Sequence, residues 1–183
     1  KETPVAKRLK KIEYQVYRNR PEMKTRTILA NGNVDSANIQ TLRPCQIAQG
    51  SGVTNRIGDK IRIWRIECRG VHTNAIDAYI IQNKTNTLPA ITDFNAVNGS
   101  YLLDNVNTTK FTEWVHYKNM YVNDDDYAPV KFSKKFKGGI VVKFAGAATT
   151  DIVDNEILIV LRSINAGGTK PYSLTTRIWF TDA

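Results

Sequence analysis

Apolar side chains along most of this chain recur every second residue rather than every third or fourth, and this period limits the fold more than any other feature. Tyr172, Leu174, Ile178 and Phe180 alternate with Ser173, Thr175, Arg177 and Trp179. A strand turns successive side chains to opposite faces, so this segment reads as half-buried, with the first set inside. Continuous apolar runs at 76–81, 140–145 and 157–161 read as more fully buried strands, and further strands are predicted at 23–30, 57–70, 111–122 and 130–136. Asn-, Thr-, Gly- and Pro-rich loops separate them, and helix is confined to short pieces within 36–48 or 91–98. About eight strands joined by long connections at 31–55 and 82–110 predict one antiparallel β-sandwich of jelly-roll type rather than a meander.

One strand is unusual. Gln49-Gly50-Ser51-Gly52 and Arg56-Ile57-Gly58 lead into Lys60-Ile61-Arg62-Ile63-Trp64-Arg65-Ile66-Glu67-Cys68-Arg69-Gly70, long, basic and entered through a glycine-rich turn. Its alternation breaks in the middle: Ile61 and Ile63 share one face, while Trp64, Ile66 and Cys68 share the other. A bulge or a change of partner near residue 63 would bring the apolar set together.

The net charge is +9, and residues 1–30 hold nine basic and three acidic side chains, +6 of that excess in a sixth of the chain. A basic arm over residues 1–22 therefore precedes a nearly neutral domain over 23–183, a distribution suited to phosphate. The candidate nucleic-acid-binding residues are Lys7, Arg8, Lys10, Lys11, Arg18, Arg20, Lys24 and Arg26. Lys131, Lys134, Lys135 and Lys137, interleaved with Phe132 and Phe136, form a second candidate patch, equally readable as a strand with aromatics inside and lysines in water.

Other chemistries find little support. Cys45 and Cys68 are too few for a disulfide framework and read as small buried thiols. His72 and His116 fit no metal or catalytic pattern, no nucleophile motif occurs, and neither a metal nor a cofactor is expected. Asp124-Asp125-Asp126 lacks the alternating spacing of a calcium loop and reads as a solvated turn. No apolar stretch approaches membrane-spanning length and no signal peptide is visible, so no membrane insertion is expected. Of Trp64, Trp114 and Trp179, at least one is expected in the core.

Five segments, in order, resemble capsid proteins of circular, Rep-encoding single-stranded DNA viruses, the circovirus-like group. They are the Gln-Gly loop with the basic strand closing at Arg69-Gly70, similar to the start of strand C; Thr85-Asn86-Thr87-Leu88-Pro89 with Asp93, similar to the long loop after strand D; 111–122 with Tyr117-Lys118, similar to strand E; Asn155-Glu156-Ile157-Leu158-Ile159-Val160, similar to the penultimate strand; and Arg177-Ile178-Trp179-Phe180-Thr181-Asp182-Ala183, similar to the last. The resemblance implies a single eight-stranded viral jelly roll that self-assembles into a T=1 icosahedral shell around circular single-stranded DNA, basic arm inside and long loops outside. It further implies a non-enzymatic virion protein, assembled in the host nucleus, that meets a host receptor of unknown identity. Such relatives carry a dense Arg-rich arm, whereas Lys7-Arg8-Leu9-Lys10-Lys11 is sparse; the expectation is either an arm ahead of Lys1 or thinner nucleic-acid contact. The competing readings are a carbohydrate-binding jelly-roll module, a capsid protein of a small RNA or satellite virus, and a β-barrel hydrolase or isomerase, for which no convergent set of residues is found.

Overall fold

The computed structural model describes residues 8–9, 22–35, 38–73, 76–96, 104–119, 127–163 and 170–183. Its strands are β1 (Lys24–Val34), β2 (Gln40–Leu42), β3 (Lys60–Thr73), β4 (Ile76–Asn83), β5 (Phe94–Ala96), β6 (Asp104–Val106), β7 (Phe111–Asn119), β8 (Tyr127–Phe144), β9 (Ile152–Asp154), β10 (Ile157–Ser163) and β11 (Lys170–Asp182). One sheet runs β1-β11-β3-β8-β9, the second runs β2-β10-β4-β7, and β5 pairs with β6. Every pairing within them is antiparallel. With the short β5, β6 and β9 set aside, the eight remaining strands taken in chain order form sheets 1-8-3-6 and 2-7-4-5. That order is the jelly roll, in which two Greek keys are wound into a closed pair of sheets.

The apolar runs become strands where predicted, with two differences. The runs at 130–136 and 140–145 belong to one strand, β8, bent where its pairing with β3 jumps from Lys135 to Ile140. The missing eighth strand is β2, three half-buried residues inside the connection read as loop. Its omission displaces the lettering by one: the basic strand is the third of the eight, in the place of D rather than C. The strand at 111–119 is likewise the fifth, in the place of F rather than E. Of the helix expected within 91–98, a single 3-10 turn forms at Ile91–Asp93, and the described part of 36–48 forms none. Asp124–Asp126 and most of the arm lie outside the described residues. No helix among the described residues is long and apolar enough to cross a membrane.

The main core lies between the sheets. From β11 it takes Tyr172, Leu174, Ile178 and Phe180, the phase predicted from the alternation, while Arg177 stands in water. The bulge in β3 falls at Trp64: Ile63 and Arg65 pair with consecutive residues of β11, so Trp64 is the extra residue. Beyond it Ile61, Ile63, Ile66 and Cys68 all face inward and are fully buried. Gly70 is required by close approach: a β-carbon there would lie 1.9 Å from the carbonyl oxygen of Ser173 on β11. In the turn before β3 only Gly58 has a positive φ, 84°. Both cysteines are free and buried, and burial pushes each thiol up to about 12. Trp114 packs against the core edge-on to Phe136.

A second core covers the outer face of the four-stranded sheet. Tyr79, Ile81, Leu158 and Val160 point away from the first core and are roofed by Phe94 and Val106, from the excursion between β4 and β7, and by Phe111 at the start of β7. Under this roof Asp77 is fully buried, bridged by Arg162 (2.9 Å) and His116 (3.1 Å), and Arg162 also donates to the carbonyl of Phe94. The four-stranded sheet is thus covered on both faces. Among the described residues nothing covers the outer face of the five-stranded sheet.

Candidate nucleic-acid interface

The open face is built by the outward positions of β1, β11, β3 and β8, which the register places in three ranks. Thr25, Trp179, Arg65 and Lys135 lie side by side; next come Thr27, Arg177, Glu67 and Ser133; then Leu29, Thr175, Arg69 and Lys131. Five cations surround one carboxylate, a local charge of +4. Arg65 sits directly across from Lys135, and Arg69 across from Lys131. Like charges directly opposite one another in a sheet are destabilising, so an anion bound there would stabilise the face.

Glu67 organises the centre. One carboxylate oxygen takes the Arg65 guanidinium and the other takes Nε of Arg69. Burial alone would raise its pKa, but Arg69, Arg65 and Lys131 outweigh burial and hold it below the usual carboxylate range. The guanidiniums of Arg65 and Arg177 stand 4.7 and 5.9 Å from the Trp179 ring centre. Arg177 is further held by Nε donation to Thr27 Oγ1 at 3.2 Å. Between these side chains and Thr175 lies a recess of about 360 Å³. Lys131 and Lys135 are exposed and take no hydrogen-bond or ion-pair partner among the described residues.

The residues singled out in the sequence divide into three groups. Lys131 and Lys135 stand on the open face; Lys137 is exposed in the bend of β8; Lys134 turns aside, its ammonium 5.2 Å from the Trp114 ring. Lys24 and Arg26 are committed within the fold. Lys24 is buried, ion-paired to Asp182 at 2.7 Å and donating to the carbonyl of Asn55, while Arg26 donates to the carbonyl of Gln46 and burial lowers its pKa. Arg8 is exposed, and Lys7, Lys10, Lys11, Arg18 and Arg20 lie outside the described residues. Arg65, Arg69, Arg177 and Trp179 are absent from the candidate nucleic-acid-binding residues read from the sequence. Their signal was the spacing Arg65-x-Glu67-x-Arg69 against Arg177-x-Trp179, one outward phase on two strands whose adjacency no sequence pattern reveals.

No family model matches the chain, and no curated protein does. Among solved structures it is similar to chains of infectious bursal disease virus, Gx strain (13% identity, TM-score 0.36, covering 89% of this chain) and Gt strain (11% identity, TM-score 0.32, covering 90%). The chain spans about a third of the length of those chains, 32% and 33%.

Proposed function

We propose that this chain is a viral capsid subunit, a jelly roll that assembles with copies of itself into a closed shell and turns the open face of its five-stranded sheet toward the enclosed nucleic acid. The observation that carries this reading is that face: five cations on an otherwise ordinary sandwich, two pairs of them directly opposed, with a single carboxylate among them. A polyanion compensates such a surface by releasing condensed counterions, without needing a fixed sequence. The five-segment resemblance and the basic first thirty residues support the finer form of the proposal. In that form the shell is T=1, the genome is circular single-stranded DNA, and Lys7, Arg8, Lys10 and Lys11 meet phosphate beside Lys131 and Lys135. This finer form also includes assembly in the host nucleus, which the resemblance implies, and no catalysed reaction. A sugar-binding platform needs an open aromatic face, whereas Trp179 is attended by two guanidiniums.

The test is nuclease protection. Particles purified after exhaustive nuclease treatment are expected to release nucleic acid that DNase degrades and RNase leaves intact. RNase-sensitive contents would move the chain to an RNA virus, and particles with the ultraviolet absorbance ratio of protein alone would contradict genome enclosure.

A further inference from the structure

We propose that the recess between β11 and β3 is a built seat for one phosphodiester of a single-stranded nucleic acid, held between the guanidiniums of Arg69 and Arg177. This deepens the polyanion reading of the open face and rests on it. Both arginines use Nε internally, Arg69 on Glu67 and Arg177 on Thr27 Oγ1, and their terminal nitrogens take no partner among the described residues. Anchored Nε atoms fix the planes of two forks that line the same recess, and a fork of paired N–H donors matches the oxygens of a phosphate. Arg65, which also lines the recess, is held by Glu67 through a terminal nitrogen and adds a third positive charge there.

A chain of phosphates fits better than a lone ion. The opposed pairs Arg69/Lys131 and Arg65/Lys135 are four residues apart along β3, about 13 Å at strand rise, so positive charge continues past the seat in the strand direction. Glu67 acts as a positioning residue: kept ionised by its neighbours, it draws Arg65 and Arg69 down to the sheet and leaves their outer edges to the ligand. Contact through phosphate alone makes the seat indifferent to base identity.

The test uses the full chain, stripped of nucleic acid in high salt and returned to low salt with a fluorescent oligothymidylate, its affinity followed by anisotropy across a salt series. Arg69→Ala and Arg177→Ala are each expected to weaken binding roughly tenfold, the loss of a hydrogen bond to a charged group, and to flatten the log-log salt slope by about 0.7. Lys84→Ala, which removes an exposed charge on the loop after β4, is expected to change both less. Both arginines are exposed, so the variants should fold; circular dichroism verifies this. Inorganic phosphate is expected to compete only at far higher concentration than the oligonucleotide. If the arginine variants match Lys84→Ala, or if inorganic phosphate binds as well as the oligonucleotide, the seat is overturned, and shell and packaging measured on the same preparations still stand. If the arginine variants behave as expected but the wild type forms no particles, the seat stands and the capsid reading fails.

Discussion

Several charges of this protein are internal, and each is answered by a specific partner. Arg56 is fully buried and ion-paired to no carboxylate among the described residues: Nε donates to the carbonyl of Ile47 at 3.1 Å, the terminal nitrogens donate to those of Gly58 and Gly146, and the guanidinium lies 3.9 Å from the Phe144 ring centre. One side chain thus ties together the loops before β3 and after β8. Asp93 does the same for the roof over the four-stranded sheet, accepting from Ala90 N–H (3.0 Å), Asn107 Nδ2 (3.1 Å) and Lys110 Nζ (2.9 Å). Burial would raise its pKa, but these donors outweigh burial and hold it below 3.8. A carboxylate depressed by folding stabilises the fold above its unfolded pKa and loses that contribution as the pH falls through the folded value. Thermal melts between about pH 5 and 2 are therefore expected to show Tm falling with pH, and less steeply in Asp93→Asn over the same window. Equal slopes would show that Asp93 does not link the roof to acid.

At the scale of elements, β3 decides most of the outcome, because it lies between β11 and β8 and carries both the core and the open face. Gly70 allows its close approach to β11, and Gly70→Ala is expected to destabilise the domain by roughly 2–3 kcal/mol, since the clashing atoms are backbone and cannot rotate away. Denaturant unfolding measures this, and a loss below about 0.5 kcal/mol would mean that the two strands separate readily. Much of this level was legible in the sequence. The inward phase of β11 follows from alternation alone, and the broken phase of β3 calls for a bulge or a change of partner near residue 63, within one residue of the bulge at Trp64. Two things were not legible. β2 is too short to carry a period, and the joining of 130–136 to 140–145 depends on pairing with β3 across a bend. The candidate site was legible only in part: Lys131 and Lys135 follow from one strand's pattern, but Arg65, Arg69 and Arg177 become a site only when β11 settles beside β3. Lys24 and Arg26 carry the same charge in sequence as the arm, yet Asp182 and the carbonyls of Asn55 and Gln46 hold them within the fold.

For the whole molecule, the asymmetry between sheets is the main result. Among the described residues one sheet is covered on both faces, while the other leaves a basic face open, the side that the proposed shell would turn toward its contents. If the arm joins that side, replacing Lys7, Arg8, Lys10 and Lys11 with alanine is expected to flatten the salt dependence of DNA binding by up to about 3 while leaving the thermal transition unchanged. An unchanged slope with intact packaging would confine genome contact to the sheet. The central claim is assembly, and sedimentation of the purified chain at physiological salt and micromolar concentration tests it most directly. Sixty copies of a 20.6 kDa chain are expected to sediment as one homogeneous species of about 1.2 MDa, and a stable monomer under those conditions would contradict the account.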